Sequence, residues 1–265
     1  MLLNILFLLI AALGTTGTYL LFPTVSLWLV LPILLGAFVS VVILYVVFLF
    51  VASLFLPRKK KIQKPNGFCL FMIRLTMDWL MSLFRIRVTL EGVEKIPQEP
   101  CVIVSNHRSD FDPMAMLAVL RNRKLVYISK ESNFKIPIVG NFIYHAGFLS
   151  IDRNNARRAL RTLSGAAEMM MRIGVDVGIY PEGTRSRTGK MLRFKSGAFI
   201  LAQSAHAPVV VLATTGTEKI SKNVPLRTTR VRMEVLEVID ADRVGAMSTD
   251  DLCTYTHDLI ERSVG

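Results

Sequence analysis

The chain has 265 residues, of which 52% are hydrophobic, and a formal net charge of +12 at pH 7. All of its charged residues lie from Arg58 onward, and that part is long enough for one domain with a hydrophobic core. The three cysteines, an odd number without motif spacing, argue against a disulfide framework and suit a reducing compartment.

Residues 1–57 contain no charged side chain and predict a membrane anchor. A transmembrane helix needs about 20 predominantly apolar residues. Leu2–Phe22 and Ser26–Leu56 each meet this length, so two crossings are predicted, with Pro23 and Thr24 in the turn between them. A single crossing, with the first segment lying in the interface, is left open. A cleaved signal peptide is disfavoured, because there is no basic n-region and the apolar stretch is too long.

The basic cluster Arg58–Lys61, followed by Lys64, ends the anchor. Such clusters mark the cytoplasmic side of a membrane, and they attract anionic head groups by about 1 kcal/mol per basic residue. The next segment, Gly67–Phe84, predicts a helix with a wide apolar face. Two interpretations stay open for this helix: it packs in the core, or it lies in the membrane surface. The predicted organisation is therefore an anchor, then a basic stop with an amphipathic interfacial helix over 58–84, then one domain over 85–265.

Strand-like runs alternate with helical patterns from Arg85 to the end of the chain. The predicted strands are Arg85–Glu91, Cys101–Ser105, Lys124–Ser129, Gly147–Ile151, Val175–Tyr180, Pro208–Ala213 and Arg230–Ile239. The clearest helix is Ala156–Met170, whose apolar residues share one face. Another helix begins near Ser248, which has capping-box spacing to Asp251. This alternation predicts an α/β fold, with a mixed central sheet flanked by helices and preceded by the N-terminal transmembrane segment.

The stretch NHRSDFDP, residues 106–113, concentrates polar groups between a predicted strand and a predicted helix. On a continuous helix His107 and Asp112 would point roughly 140° apart, so they can meet only if the chain turns between them. Asp112 followed by Pro113 is typical of an N-cap and the first helical position. Two interpretations follow. Asp112 caps a helix and His107 is a loop residue, or the pair is a dyad whose carboxylate orients an imidazole base.

No G-x-S-x-G motif supplies a nucleophilic serine, so a dyad here would activate a hydroxyl group of the substrate. A metal site built from His107, Asp110 and Asp112 is disfavoured, because no second histidine or cysteine has supporting spacing. A second stretch, YPEGTRSRTGK at 180–190, forms a loop after a predicted strand, where α/β proteins bind ligands. Arg185 in this loop can hold a phosphate in bidentate fashion.

A third stretch spans residues 130–153 and is bracketed by Lys130 and Arg153. Each of these follows a strand-like run. Taken alone, either is explained as a solvated charge. Together with Arg185 they can form one anion site.

These three stretches, in this order, resemble the glycerolipid acyltransferase family, most closely its bacterial 1-acyl-sn-glycerol-3-phosphate acyltransferases. The family motif N-H-x-S-x-x-D (the HX4D motif) is matched by residues 106–112, and its arginine after a strand by Arg153. The motif F-P-E-G-T-R-S is matched by residues 181–186, with Tyr180 in place of phenylalanine. The V-P-x-x-P block keeps Pro208 and lacks the second proline, which weakens any inference on acyl or acceptor preference. The resemblance covers residues 85–213.

The resemblance implies an acyltransferase domain that moves an acyl group from a thioester to the sn-2 hydroxyl of lysophosphatidic acid, giving phosphatidic acid. His107 would act as the general base and Asp112 would orient it, without an acyl-enzyme. The residues implied for substrate binding are Arg153 and Arg185 on the acceptor phosphate, Lys130 as a weaker candidate, and Glu182, Gly183 and Thr184 in the acceptor loop. Glu182 would also hydrogen-bond the glycerol.

No metal or organic cofactor is implied, and acyl-CoA or acyl carrier protein would be the co-substrate. Anionic membrane lipids are the expected surface partners, and the cytoplasmic face of a bacterial membrane is the expected location. Alternative acceptors are glycerol-3-phosphate, another lysophospholipid or an acylated lipid without phosphate. From a different class, a non-catalytic membrane scaffold that binds anionic lipid is left open. Nucleic acid is disfavoured as a partner by the membrane anchor.

Overall fold

The computed structural model describes residues 2–21, 27–56, 64–186 and 190–264. Its helices are α1 (Leu2–Leu21), α2 (Leu27–Leu54), α3 (Gly67–Leu83), α4 (Asp112–Val119), α5 (Val139–His145), α6 (Ala156–Ile173), α7 (Ile200–Ser204), α8 (Ile220–Asn223), α9 (Ala241–Ala246) and α10 (Thr249–Val264). Its strands are β1 (Ile86–Glu91), β2 (Val102–Ser105), β3 (Leu125–Lys130), β4 (Leu149–Ile151), β5 (Asp176–Ile179), β6 (Val209–Thr215) and β7 (Thr229–Ile239). Each predicted strand is present.

The strands form one mixed sheet in the order β1-β7-β6-β2-β5-β3-β4. Neighbours pair in parallel except β6 and β7, which pair antiparallel, with a bulge between Val211 and Leu212. The central strands β2 and β5 are buried along their whole length, as expected where helices cover both faces of a sheet. The prediction of a mixed central sheet flanked by helices is confirmed.

Two hydrophobic clusters cover the two faces of the sheet. On one face, α6, α7 and α10 pack through residues such as Leu163, Leu201 and Leu252. On the other face, α4 packs through Met116, and Met81 from α3 joins the same cluster. Helix α6 begins at the predicted residue, because the Asn155 side chain caps it by accepting the N–H of Arg158. The predicted cap of α10 is also present, since Ser248 Oγ accepts the N–H of Asp251.

Helices α1 and α2 are both long and apolar enough to cross a membrane. They pack on each other and on α3, where the rings of Phe7 and Trp79 meet at 5.6 Å. Tyr45 of α2 hydrogen-bonds Thr76 of α3 at 2.8 Å. Most of their other large apolar side chains are exposed, and Trp28 reaches 89%. Such a surface indicates membrane association. The predicted turn at 23–24 and the basic cluster at 58–61 lie outside the described residues.

Helix α3 joins this hairpin to the sheet domain. Its buried residues are Cys69, Met72, Trp79 and Met81. Phe68 and Phe71, in its first turns, are 47% and 59% exposed. One face of α3 is therefore a core face, as the first interpretation held, while its N-terminal aromatic residues are available to a lipid surface.

Candidate active site

His107 and Asp112 form a hydrogen-bonded pair at the carboxyl end of β2. The His107 Nδ1 atom lies 2.8 Å from Asp112 Oδ2, and the aspartate side chain is fully buried. The same carboxylate oxygen accepts the backbone N–H groups of Arg108 and Ser109, each at 2.7 Å. A carboxylate oxygen accepts hydrogen bonds and does not donate them, so Nδ1 carries the proton in this hydrogen bond and Nε2 is left as the basic atom. The arrangement suits a general base.

The prediction that Asp112 is the helix N-cap is wrong in detail. Helix α4 begins at Asp112 itself, and Phe111 occupies the cap position without a side-chain cap hydrogen bond. Pro113 lies in the first turn, as predicted. The carboxylate of Asp112 points back to the preceding loop rather than to the first turn of its own helix. The chain reversal between strand and helix thus brings His107 and Asp112 together.

Asn106 anchors this loop to the neighbouring strand β6. Its side-chain amide donates to the Thr214 carbonyl at 2.9 Å and accepts the Thr214 N–H at 2.8 Å, as a backbone partner would. Ser105 adds a hydroxyl contact to Thr214 at 3.0 Å. The position of His107 is therefore fixed relative to both β2 and β6.

Aromatic rings support the imidazole from one side. The Tyr180 ring stacks on His107 with centroids 4.4 Å apart and an interplanar angle of 21°. Behind it, the Tyr127 ring lies parallel at 6.0 Å. Gly178 makes room for that ring, since a Cβ atom there would lie 2.3 Å from Tyr127. Burial raises the pKa of both phenols, so both stay neutral.

Glu182 ties the second predicted loop to the first. Its Oε1 atom accepts the N–H of His107, and its Oε2 atom accepts the N–H of Leu192 at 2.9 Å. Burial raises the pKa of this carboxyl, and the two backbone N–H groups oppose that rise. Gly183 follows at a positive φ of 69°, which favours glycine, and the Lys195 side chain lies over it. A hydrogen bond from Glu182 to the acceptor glycerol stays a prediction.

A cavity of ≈ 430 Å³ is linked to the dyad through Tyr180, which lines the cavity and stacks on His107. Its lining is mainly aliphatic, with Leu163 among its members, while Arg153 and Lys195 also border it. Partial burial of the Arg153 guanidinium lowers its pKa, and the group nevertheless stays charged. Among the residues the structure describes, no carboxylate lies within ion-pair distance of Arg153. The cavity therefore combines an apolar lining with an unneutralised cation.

The other predicted binding residues lie outside this lining. Arg185 is exposed and pairs with Asp110, which joins the two motif loops. Thr184 is exposed beside it, and Lys130 is exposed at the end of β3. The structure thus brings Arg153 to the cavity and leaves Arg185 and Lys130 on the surrounding surface. Their roles in binding stay predictions.

Comparison with known proteins identifies the family. An acyltransferase family model matches residues 87–215. Human 1-acyl-sn-glycerol-3-phosphate acyltransferase beta is 35% identical over 188 residues, which cover 68% of this chain and 67% of the human protein. The chain belongs to the glycerolipid acyltransferase family. The family membership predicted from the motifs is confirmed, and the protein is an acyltransferase.

Other members of the glycerolipid acyltransferase family also match this chain. The 1-acyl-sn-glycerol-3-phosphate acyltransferase of Haemophilus influenzae is 29% identical over 191 residues, covering 70% of this chain and 77% of that protein. The human alpha enzyme is 37% identical over 139 residues, and this chain spans 49% of its length. The crystal structure of the 1-acyl-sn-glycerophosphate (LPA) acyltransferase PlsC from Thermotoga maritima superposes with a TM-score of 0.63 at 29% identity. That match covers 83% of this chain and 87% of the Thermotoga chain.

One contact of the dyad in this acyltransferase was not found from the sequence. The Thr217 hydroxyl donates to Asp112 Oδ1, and both side chains are fully buried. Thr217 lies in a short 3₁₀ turn after β6, 105 residues along the chain from Asp112. No local sequence pattern predicts this contact, because it depends on the strand order that places β6 beside β2.

Replacing Thr217 by valine is expected to lower kcat by about 10–100-fold, because a hydrogen bond to a charged group contributes about 1.5–3 kcal/mol. Thr217 is a positioning residue that acts through Asp112. Steady-state kinetics should show the loss in kcat and little change in the KM of either substrate. Thr217→Ser, which keeps the hydroxyl, is the matched control and should recover most of the activity. A valine variant with wild-type kcat would contradict this role.

Proposed function

We propose that the protein transfers an acyl group from a thioester, acyl-CoA or acyl-ACP, to the sn-2 hydroxyl of 1-acyl-glycerol-3-phosphate, producing phosphatidic acid for phospholipid synthesis. The observation that carries this proposal is the His107–Asp112 pair, which Tyr180 links to a cavity that is apolar in its lining and cationic at Arg153. An acylated glycerol phosphate has matching parts, namely a hydrocarbon chain, a hydroxyl and a phosphate. The same acceptor is supported by relatives named 1-acyl-sn-glycerol-3-phosphate acyltransferase.

The proposed chemistry uses no acyl-enzyme. Nε2 of His107 takes the proton of the acceptor hydroxyl, and the imidazolium formed is stabilised by Asp112 through Nδ1–H. The hydroxyl oxygen attacks the thioester carbonyl, so that a C–O bond forms and the C–S bond then breaks. The thiolate leaves and takes the proton from His107. The dyad is thereby restored for the next turnover.

The buried hydrogen bonds of Asp112 support this role, because they prepare it to hold the imidazole during proton transfer. Its carboxylate receives two backbone N–H groups, the Thr217 hydroxyl and the imidazole. Stacking on Tyr180 keeps the ring plane fixed while the proton moves. Such preorganisation reduces the reorganisation needed in the transition state.

Membrane association suits a substrate and a product that both carry acyl chains. Helices α1 and α2 expose an apolar surface, and anionic lipid is attracted by the net charge of +12. We propose that the hairpin crosses or inserts in the cytoplasmic membrane with the sheet domain on the cytoplasmic side. The membrane then supplies lysophosphatidic acid and receives phosphatidic acid.

Replacing Arg153 by methionine should raise the KM for lysophosphatidic acid by about tenfold or more, because a charge-assisted contact to phosphate is lost. Transfer to monoacylglycerol, which has no phosphate, should not be weakened. The measurement is acyl transfer from either thioester donor to lysophosphatidic acid, glycerol-3-phosphate and monoacylglycerol.

Arg157→Met, on α6 and outside the cavity lining, is the control for the loss of one positive charge. Wild type should form phosphatidic acid fastest with lysophosphatidic acid. A preference for glycerol-3-phosphate or for monoacylglycerol would reject the proposed acceptor. Anionic-lipid binding without transfer to any acceptor would favour the non-catalytic scaffold.

A further inference from the structure

A second concave site lies at the opposite edge of the sheet from the Arg153 cavity. We define the arginine groove as the cavity of ≈ 510 Å³ lined by Arg87, Arg108, Lys219, Arg230 and Arg232. Arg87 lies on the edge strand β1, and Arg230 and Arg232 lie on its neighbour β7. The mechanism described above uses no side chain of the groove.

Unrelieved positive charge distinguishes this groove. Arg87 and Arg230 are direct partners across β1 and β7, both exposed on the same side of the sheet. Like charges directly opposite on neighbouring strands destabilise a sheet. Arg232 is neutralised by Glu91 at 2.7 Å and by Glu234 at 3.2 Å. Among the described residues, Arg87 and Arg230 have no such partner. A bound polyanion would relieve their repulsion.

The groove also reaches the dyad through two backbone connections. Arg108, which lines it, follows His107 and donates its N–H to Asp112. Gly216, which also lines it, precedes Thr217, the other partner of Asp112. One carboxylate, Glu218, lies in the groove, where it accepts the Gly216 N–H and faces Arg108 at 3.9 Å. A ligand in the groove is therefore next to the elements that hold the catalytic pair.

Sheet order separates the two cavities on either side of the dyad. His107 follows the central strand β2, the Arg153 cavity lies toward β3 and β4, and the arginine groove lies toward β6, β7 and β1. Two substrates must meet at His107. If the acceptor occupies the Arg153 cavity, the β1–β7 side remains available to the part of the donor that does not react.

We propose that the arginine groove binds the phosphate groups of the nucleotide part of an acyl-CoA donor, an inference that rests on the proposed acyl transfer. A CoA thioester carries several phosphates at one end and the reacting carbonyl at the other, joined by a flexible pantetheine arm. Its anionic end must therefore be held away from the atoms that react. Arg87 and Arg230 offer planar, bidentate donors for those phosphates, and Lys219 adds a further cation.

The test uses the full chain in detergent micelles and the double variant Arg87→Gln/Arg230→Gln. Both side chains are exposed and repel each other, so the melting temperature of the variant should be equal to or higher than that of wild type. Titration calorimetry with CoA should show affinity falling by about tenfold or more, because two charge-assisted phosphate contacts are lost. The KM for acyl-CoA should rise by a similar factor, whereas the KM for acyl-pantetheine, which has no nucleotide, should not follow it. Added salt should weaken CoA binding in wild type more than in the variant.

The double variant Arg121→Gln/Arg157→Gln removes two exposed arginines that lie outside the groove, so it is the charge-matched control and should leave CoA affinity at the wild-type value. Equal CoA affinity in wild type and the Arg87→Gln/Arg230→Gln variant would overturn the inference. The inference would also be overturned if the Arg87→Gln/Arg230→Gln variant kept CoA binding but lost binding to vesicles of anionic phospholipid, or lost activity with acyl carrier protein. CoA binding needs no turnover. Wild type that binds CoA through the groove but forms no phosphatidic acid would reject the proposed acceptor, while the groove assignment would stand.

Discussion

Replacing His107 by alanine is expected to lower kcat for acyl transfer by about 10²–10⁴-fold, the usual contribution of a positioned general base. The Nε2 atom of the imidazole is left to accept a proton, because Nδ1 is hydrogen-bonded to Asp112 at 2.8 Å. The alanine variant lacks this atom, so the proposed acceptor of the hydroxyl proton is lost. The side chain is only 14% exposed and stacks on Tyr180, so the melting temperature of the variant is measured beside its activity to show that it stays folded. Labelled acyl transfer at saturating substrates measures the effect.

The companion variant Asp112→Asn tests the negative charge behind the imidazole. Its amide oxygen is expected at the Oδ2 position, which receives the N–H groups of Arg108 and Ser109, so the geometry is kept while the imidazolium loses the charge that stabilises it. A loss in kcat of up to about 10⁴-fold is expected by analogy with other carboxylate–imidazole pairs. His206→Asn, in the loop before β6, is the control for loss of a histidine, and asparagine tolerates its positive φ of 45°. If His107→Ala turns over at the wild-type rate, His107 is a turn residue and the mechanism fails.

Local patterns were sufficient to predict most of this architecture. Each strand reveals itself by composition or alternation, as in β1, where apolar and polar residues alternate, and in β2, where every residue is buried. The predicted cap at Ser248 is local as well, because its partner Asp251 is three residues away. The dyad is also local, because five positions separate its members and a turn closes that distance.

Contacts made by distant parts of the chain could not be predicted in this way. Thr217 reaches Asp112 because β6 lies next to β2, and an alternation pattern carries no information about that order. Tyr180 is a departure from the family motif in the sequence, but its stacking on His107 could not be predicted, because that contact depends on β2 and β5 being neighbours. The N-cap prediction failed for a related reason. An Asp-Pro pair suits either an N-cap or the first turn of a helix. Asp112 lies in the first turn because its carboxylate accepts the N–H groups of the preceding loop.

Asp176 illustrates the same limit for stability, and its replacement by asparagine should lower the free energy of unfolding by about 3–5 kcal/mol. Arg123 Nε and Nη2 donate to its two carboxylate oxygens at 2.6 and 2.7 Å, and the Cys101 N–H donates at 3.1 Å. The aspartate is 4% exposed and the arginine 17%. Loss of the negative charge leaves Arg123 largely buried without compensation. The sequence predicts only a strand here, since the partner is 53 residues away.

Urea unfolding of wild type and variant, followed by circular dichroism, measures this difference. The control is Asp78→Asn, which breaks the ion pair between Arg121 and Asp78, where the arginine is 61% exposed and the atoms are 3.4 Å apart. That change should cost less than about 1 kcal/mol, because an exposed pair is screened by solvent. Equal losses for the two variants would show that burial of the Arg123–Asp176 pair contributes nothing special. A large loss confined to Asp176→Asn, with kcat unchanged in the protein that stays folded, would separate the residues that hold β5 in the sheet from those that move the proton.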